Sequence, residues 1–117
     1  MIKLIAFVRR KEGMDPEDFH RHWREVHGPL VRDTKSGSYV VRYEQHHRAL
    51  SDYDNPIFSD YDGVTVQWFR SQEDFYASVR EADYAEIDAD MQTFIDVSKL
   101  VWLLTEDAEV LIDNEVT

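Results

Sequence analysis

The chain has 117 residues, 43% of them hydrophobic, which suits one domain (1–117) built around one core. It has no cysteine, which excludes disulfides, a thiol nucleophile and Cys-ligated metals, and it has no run of about 18 apolar residues that would make a membrane-spanning helix. The formal charge of −11 is uneven: residues 1–50 hold ten Lys/Arg against seven Asp/Glu, and residues 51–117 hold three against seventeen. That acidity argues against nucleic acid as a partner, because phosphate contacts need Lys and Arg, and reads instead as a solvated surface.

Residues 2–9 form a first strand, rich in Ile, Leu, Val and Phe and apolar on both faces. The apolar stretch precedes the basic pair Arg9-Arg10, the reverse of a secretory signal, so a cytoplasmic location is expected. Asp15 with Pro16 behind it is an N-cap signature. It opens a helix expected from Pro16 to His27, stopped by Gly28 and Pro29. Residues 29–37 connect to a second strand over 39–49. Residues 50–62 read as an acidic, tyrosine-bearing loop, and Gly63 opens a third strand, Val64 to Arg70. Ser71 with Asp74, and Asp83 with Glu86, each cap a helix. The second of these carries Tyr84, Ile87, Met91, Phe94 and Ile95 on its apolar face. Residues 99–105 make the last strand, and Glu106 to Thr117 are a tail.

Strand, helix, strand, strand, helix pair, strand is a ferredoxin-like βαββαβ arrangement, α+β in class, with helices on one face of an antiparallel four-stranded sheet. In the third strand the purely apolar set, Val64, Val66 and Trp68, is expected to face the helices. Thr65, Gln67 and Phe69 then face away from them. The face away from the helices would carry Ile5, Phe7, Val41, Tyr43 and Phe69. So apolar a face needs a partner, and the simplest is a second copy packed sheet to sheet.

The segment Phe19 to Leu30 carries the clearest chemistry. Phe19, Trp23, Val26 and Leu30 recur at helical spacing, and His27, four residues after Trp23, shares their face. An imidazole held among aromatics at a helix end is suited to acid–base work near neutral pH, although such a histidine is also a common structural residue. His46 and His47 are adjacent, so only one faces inward, and His47 is the expected one. None of the five histidines pairs with a carboxylate at metal-ligand spacing, so no metal and no cofactor is expected.

Asp15-Pro16-Glu17-Asp18-Phe19 followed by Trp23-Arg24-Glu25-Val26-His27-Gly28-Pro29-Leu30-Val31 resembles the signature of the EthD family. So do Tyr43-Glu44-Gln45-His46-His47, Tyr61-Asp62-Gly63-Val64 and Val101-Trp102-Leu103-Leu104-Thr105-Glu106. The resemblance implies a dimeric α+β barrel, in which two ferredoxin-like subunits pack their sheets together and each half holds a pocket. The superfamily includes muconolactone-type isomerases, polyketide cyclases, decarboxylases, dehydratases, cofactor-independent quinol-forming monooxygenases and heme enzymes.

Isomerase-like relatives have a histidine and a strand tyrosine that correspond to His27 and Tyr43, and a thiol-bearing strand position that aligns near Gln67. The expected site is therefore His27 as general acid/base and Tyr43 as hydrogen-bond donor to a carbonyl or developing enolate. His47, Gln67, Trp23 and Tyr61 would contact the ligand. The expected activity is cofactor-free proton transfer on a small aromatic, lactone or polyketide-like carbonyl compound. The alternatives are a non-catalytic ligand-binding or accessory dimer and a quinol-type monooxygenase.

Overall fold

A computed structural model describes residues 1–55 and 60–115. Its sheet contains β1 (Ile2–Val8), β2 (Val40–His47), β3 (Gly63–Phe69) and β4 (Val101–Thr105) in the order β2-β3-β1-β4, every neighbouring pair antiparallel. The helices are α1 (Pro16–His22), α2 (Gly28–Asp33), α3 (Gln72–Arg80) and α4 (Tyr84–Phe94). This is the ferredoxin-like α+β fold expected from the sequence. No described helix is long and apolar enough to cross a membrane.

The local signals act largely as their chemistry dictates. Gly13, at φ +84°, turns the chain after β1 in the left-handed region that glycine tolerates. The Asp15 carboxylate accepts the Glu17 backbone N–H at 3.1 Å and starts α1. The Ser71 hydroxyl accepts from Asp74 N and starts α3. Asp83 does not cap α4; its carboxylate instead accepts the backbone N–H groups of Lys35 at 2.6 Å and Ser36 at 3.0 Å, tying the connector to the start of α4.

The helix begun at Pro16 does not stop at His27. Residues Trp23–His27 form a π-helical turn, in which Gly28 N–H reaches back to the Trp23 carbonyl, and α2 follows directly with Pro29 in its first turn. In a regular α-helix the Pro29 ring would clash with the carbonyl four residues earlier. The wider turn moves that carbonyl aside, so the helix continues through the proline.

Strand register corrects the expected faces. Leu4 pairs with Gln67, Ala6 with Thr65 and Ile2 with Phe69, so Thr65, Gln67 and Phe69 share the helix-covered face with buried Leu4 and Ala6. Tyr43, opposite Gln67, lies there too, as do Gln45 and His47. Val64, Val66 and Trp68 lie on the other face with Ile5, Phe7, Val101 and Leu103. The rule that the purely apolar set faces the helices fails because the polar residues of β3 are needed on the inside, around a cavity. Both faces remain apolar; on the outer one Leu103 is 54% exposed and Val101 47% exposed.

Two apolar clusters fill the space beneath the helices. One gathers Phe19, Trp23, Ile87, Met91 and Phe94, and the other gathers Leu4, Phe69 and Phe75. Gly63 sets how close the first cluster comes to the sheet. A Cβ there would lie 2.6 Å from the Trp23 ring and 2.5 Å from the His46 carbonyl. Gly63→Ala is therefore expected to cost about 1–3 kcal/mol as an overpacked site. Urea denaturation checks this; an unchanged midpoint would mean that the indole has room to move.

Candidate active site

A narrow cavity of about 60 Å³ lies between the helix-covered face of the sheet and the helices, with His27, Tyr43, Thr65 and Gln67 as its chief polar lining and Trp23 among its apolar walls. Beside it an open cleft of about 760 Å³ runs along the edge strand β2, lined by Arg24, Arg32, Arg42, Gln45 and His47. Tyr43, Val31, Gly37 and Val40 line both spaces. The narrow cavity alone holds only a few waters. Together the two spaces reach the size of small-molecule sites, apolar with a few convergent polar groups.

His27 enters this cavity from the π-helical turn, not from a helix end, and only 6% of it is exposed. Its Nδ1 lies 2.8 Å from Asp90 Oδ2, and the other oxygen of Asp90 lies 2.9 Å from His22 Nε2. An ionised carboxylate only accepts hydrogen bonds, so His27 Nδ1 carries the hydrogen and Nε2 carries the lone pair. Nε2 has no hydrogen-bond partner among the described residues. Burial pushes the His27 pKa below its ordinary value, against the opposing pull of Asp90. The result is a neutral imidazole with its tautomer fixed by a carboxylate and its basic nitrogen unengaged, the arrangement a general base requires.

Tyr43 and Gln67 face each other across β2 and β3. The Tyr43 hydroxyl accepts a hydrogen bond from Gln45 Nε2 at 3.0 Å, and the same amide nitrogen donates to the Trp23 carbonyl at 2.8 Å. Burial raises the Tyr43 pKa while its contacts with Gln45 and Trp23 oppose that rise, so the phenol keeps its proton. Gln67 makes no side-chain hydrogen bond among the described residues, which leaves its amide available to a ligand. Trp23, 1% exposed, packs against Phe19 and under His47, with ring centroids 4.3 Å apart in the second pair. His47 faces inward, and the exposed His46 pairs with Glu44 on the other face.

Tyr61 does not join these residues. It packs edge-on against Phe7, on the face away from the helices, and its hydroxyl donates to the Lys99 carbonyl. The loop it belongs to is less solvated than its acidity suggests. Asp62 is fully buried, accepting from the Arg10 backbone and guanidinium at 2.7 Å each and from the Tyr53 hydroxyl. The middle of that loop, 56–59, lies outside the described residues, as do the last two residues of the tail.

Asp90 was the site residue hardest to anticipate. It lies three residues after Ile87 and four before Phe94 on α4, so a carboxylate interrupts an apolar stripe. Among the described residues no three His, Asp or Glu side chains converge as a metal set.

Three of the histidines leave a thermodynamic signature. Burial lowers the pKa of His20 and His27, and lowers that of His47 to about 4. A group whose pKa is lower folded than unfolded takes up its proton first in the unfolded chain, so stability falls as pH drops below the unfolded value. Stability is therefore expected to hold above pH 6.5, the ordinary histidine value, and to decline from there towards about 4. Denaturation midpoints measured across that range check it; a flat profile would contradict the burial of these rings.

Comparison with known proteins agrees with the fold. The structure of an EthD-family protein from Bacillus halodurans superposes with a TM-score of 0.71 at 19% identity, covering 92% of this chain and 99% of that one. SnoaB, a cofactor-independent oxygenase from Streptomyces nogalater, superposes with a TM-score of 0.64 at 8% identity, over 96% and 97% of the two chains. A dimeric ferredoxin-like protein of unknown function from Thermobifida fusca gives 0.65 at 15% identity, over 89% and 88%. No curated protein sequence matches the chain significantly. The EthD domain profile matches residues 11–98, three-quarters of the chain and the whole of the stretch that places His27, Tyr43 and Asp90, and the protein belongs to the EthD family.

Proposed function

We propose that the protein is a small-molecule enzyme that needs no cofactor and works by proton transfer on a carbonyl compound of the aromatic, lactone or polyketide-like type. The observation that carries this reading is His27: Nδ1 tied to Asp90, Nε2 unpartnered, and the ring on the wall of a cavity that also holds the Tyr43 hydroxyl. In the reaction, Nε2 takes a proton from the carbon beside the carbonyl. The C–H electron pair forms the C=C bond of the enolate and the carbonyl π pair moves to the oxygen, where the Tyr43 O–H stabilises the charge. The imidazolium, favoured by Asp90, then returns the proton at another position, which gives isomerisation, or protonates a leaving hydroxyl, which gives dehydration.

The experiment is deuterium exchange. Acetophenone, a β-keto ester and an unsaturated lactone are each incubated with the protein in D2O, and loss of the proton beside the carbonyl is followed by NMR. The reading expects exchange of at least one compound well above the buffer rate. Compounds that bind without exchanging would make the chain a ligand-binding dimer. SnoaB supports a second outcome, since deprotonation is also a way to begin a cofactor-independent oxygenation. Oxygen uptake during the same incubations would select it.

The protein is also proposed to be a homodimer through the outer sheet face, which carries Ile5, Phe7, Val66, Trp68 and Leu103 and lies on a fold that dimeric relatives share. Val66→Glu, at the middle of β3, is expected to give a monomer or an insoluble chain. Light scattering that returned a monomer mass for the native protein at micromolar concentration would end this part of the proposal.

A further inference from the structure

Behind Tyr43 runs a chain of hydrogen bonds with an acceptor at each end. At one end the Trp23 carbonyl can only accept, so the Gln45 amide nitrogen must face it at 2.8 Å. Gln45 Oε1 therefore faces His47 Nε2, 2.9 Å away, and that nitrogen must carry a hydrogen. At the other end the Asp62 carboxylate pairs with Arg10 and accepts a hydrogen bond from the Tyr53 hydroxyl. The Tyr53 oxygen then has to accept from His20 Nε2 at 2.8 Å, so that nitrogen also carries a hydrogen. Between the two rings lies an Nδ1···Nδ1 contact of 2.7 Å, which is a hydrogen bond only if one more hydrogen sits in it. Two imidazoles with three N–H groups carry one positive charge between them.

We propose that His20 and His47 share one proton across their Nδ1 atoms, and that this pair, acting through Gln45, fixes the Tyr43 hydroxyl as a hydrogen-bond donor to an acceptor oxygen of the pocket's ligand. His47 orients the Gln45 amide, the amide N–H occupies the acceptor side of the Tyr43 oxygen at 3.0 Å, and the Tyr43 proton is left to point at a carbonyl or enolate. His20, His47 and Gln45 are positioning residues, and the ligand half of the proposal rests on the pocket reading given above.

The surroundings hold the pair to no more than one charge. Asp62 favours charge there from the end of the loop, while Arg10 and Arg24 oppose it from two different segments. Glu17, Arg21 and Glu25 line the groove above the pair alongside Arg24. A second proton is resisted by burial, by the charge on the neighbouring ring and by Arg24. When the shared proton leaves, two lone pairs face each other at 2.7 Å and the contact has to open.

The test is imidazole NMR on the full chain labelled with ¹⁵N-histidine, titrated from acid to alkaline pH. The expected result is an interval in which His20 and His47 together show three protonated nitrogens, with His47 Nε2 protonated throughout. Tyr53→Phe, which cuts the pair from Asp62 while keeping the ring, should shift that interval down by about one pH unit or abolish it. Two protonated nitrogens at every pH where the protein is folded, or two rings titrating independently, would overturn the shared proton.

The ligand half is read with acetophenone carrying ¹³C at the carbonyl. Its carbonyl resonance should move downfield on binding, lose that shift in Tyr43→Phe, and lose part of it in Tyr53→Phe. Binding without a shift would overturn the donor assignment and leave the histidine result standing. Failure to bind would overturn the pocket reading and the ligand half with it, again without touching the nitrogen count.

Discussion

His27→Ala is expected to lower the rate of carbonyl proton exchange at least about a hundredfold, the usual scale of general acid–base catalysis. The effect is large because the neighbourhood offers no second base of the same kind. His22 shares Asp90, but its Nε2 is engaged by that carboxylate. Tyr43 is a phenol whose pKa burial raises. His27→Asn should rescue little, since an amide can keep the bond to Asp90 but cannot move a proton. Asp90→Asn should give an intermediate loss, because the amide nitrogen can reverse the tautomer and turn the Nε2 lone pair into an N–H. Exchange rates for the three variants, compared at equal ligand occupancy, check this. Equal rates in the parent and in His27→Ala would leave His27 a structural residue.

The second large effect is on folding. Trp23→Ala is expected to cost about 3–5 kcal/mol, the range for an aromatic side chain removed from a core. Trp23 joins three layers: it packs on Phe19 within the first helix, supports His47 from the sheet, and fills the space left open at Gly63. Its own carbonyl orients Gln45, so a shifted backbone would also disturb Tyr43. Chemical denaturation gives the value. A loss below about 1 kcal/mol would mean that the cavity walls collapse to fill the space.

Much of the fold can be read along the chain. The caps at Asp15 and Ser71 are local chemistry within three residues, and both form as their spacing requires. The alternation of Leu4, Ala6 and Val8 gives β1 its buried face. The end of the first helix is different, because Gly28 and Pro29 are stop signals in isolation. Here a π-helical turn accommodates the proline, and the stop is overridden by the packing of Trp23 and Val31 on either side of it.

The faces of β3 run opposite to what patterning suggests for a reason specific to this architecture. Patterning identifies which residues share a face but not which face meets the helices, and a sheet apolar on both sides gives the pattern no preference. The polar pair Thr65 and Gln67 belongs inside because a cavity is there. The site itself was half legible. The structure places His27, Tyr43, Gln67 and Trp23 around one cavity and His47 on the adjoining cleft; Tyr43 and Gln67 reach the cavity because the helices cover their strand face, the reverse of the facing that patterning suggests. Asp90, His20 and Asp62 reach the site across long sequence separations, and Gln45 is tied to the Trp23 carbonyl from another element, through hydrogen bonds that no local spacing encodes.

The measurement that tests the central claim most directly is the ¹⁵N resonance of His27 during titration with a carbonyl ligand found by the exchange screen. If His27 is the base, Nδ1 stays protonated against Asp90, and Nε2, a bare lone pair in the free protein, shifts as the ligand saturates. A His27 Nε2 that carries hydrogen in the free protein, or that remains unmoved at saturating ligand, would contradict the account.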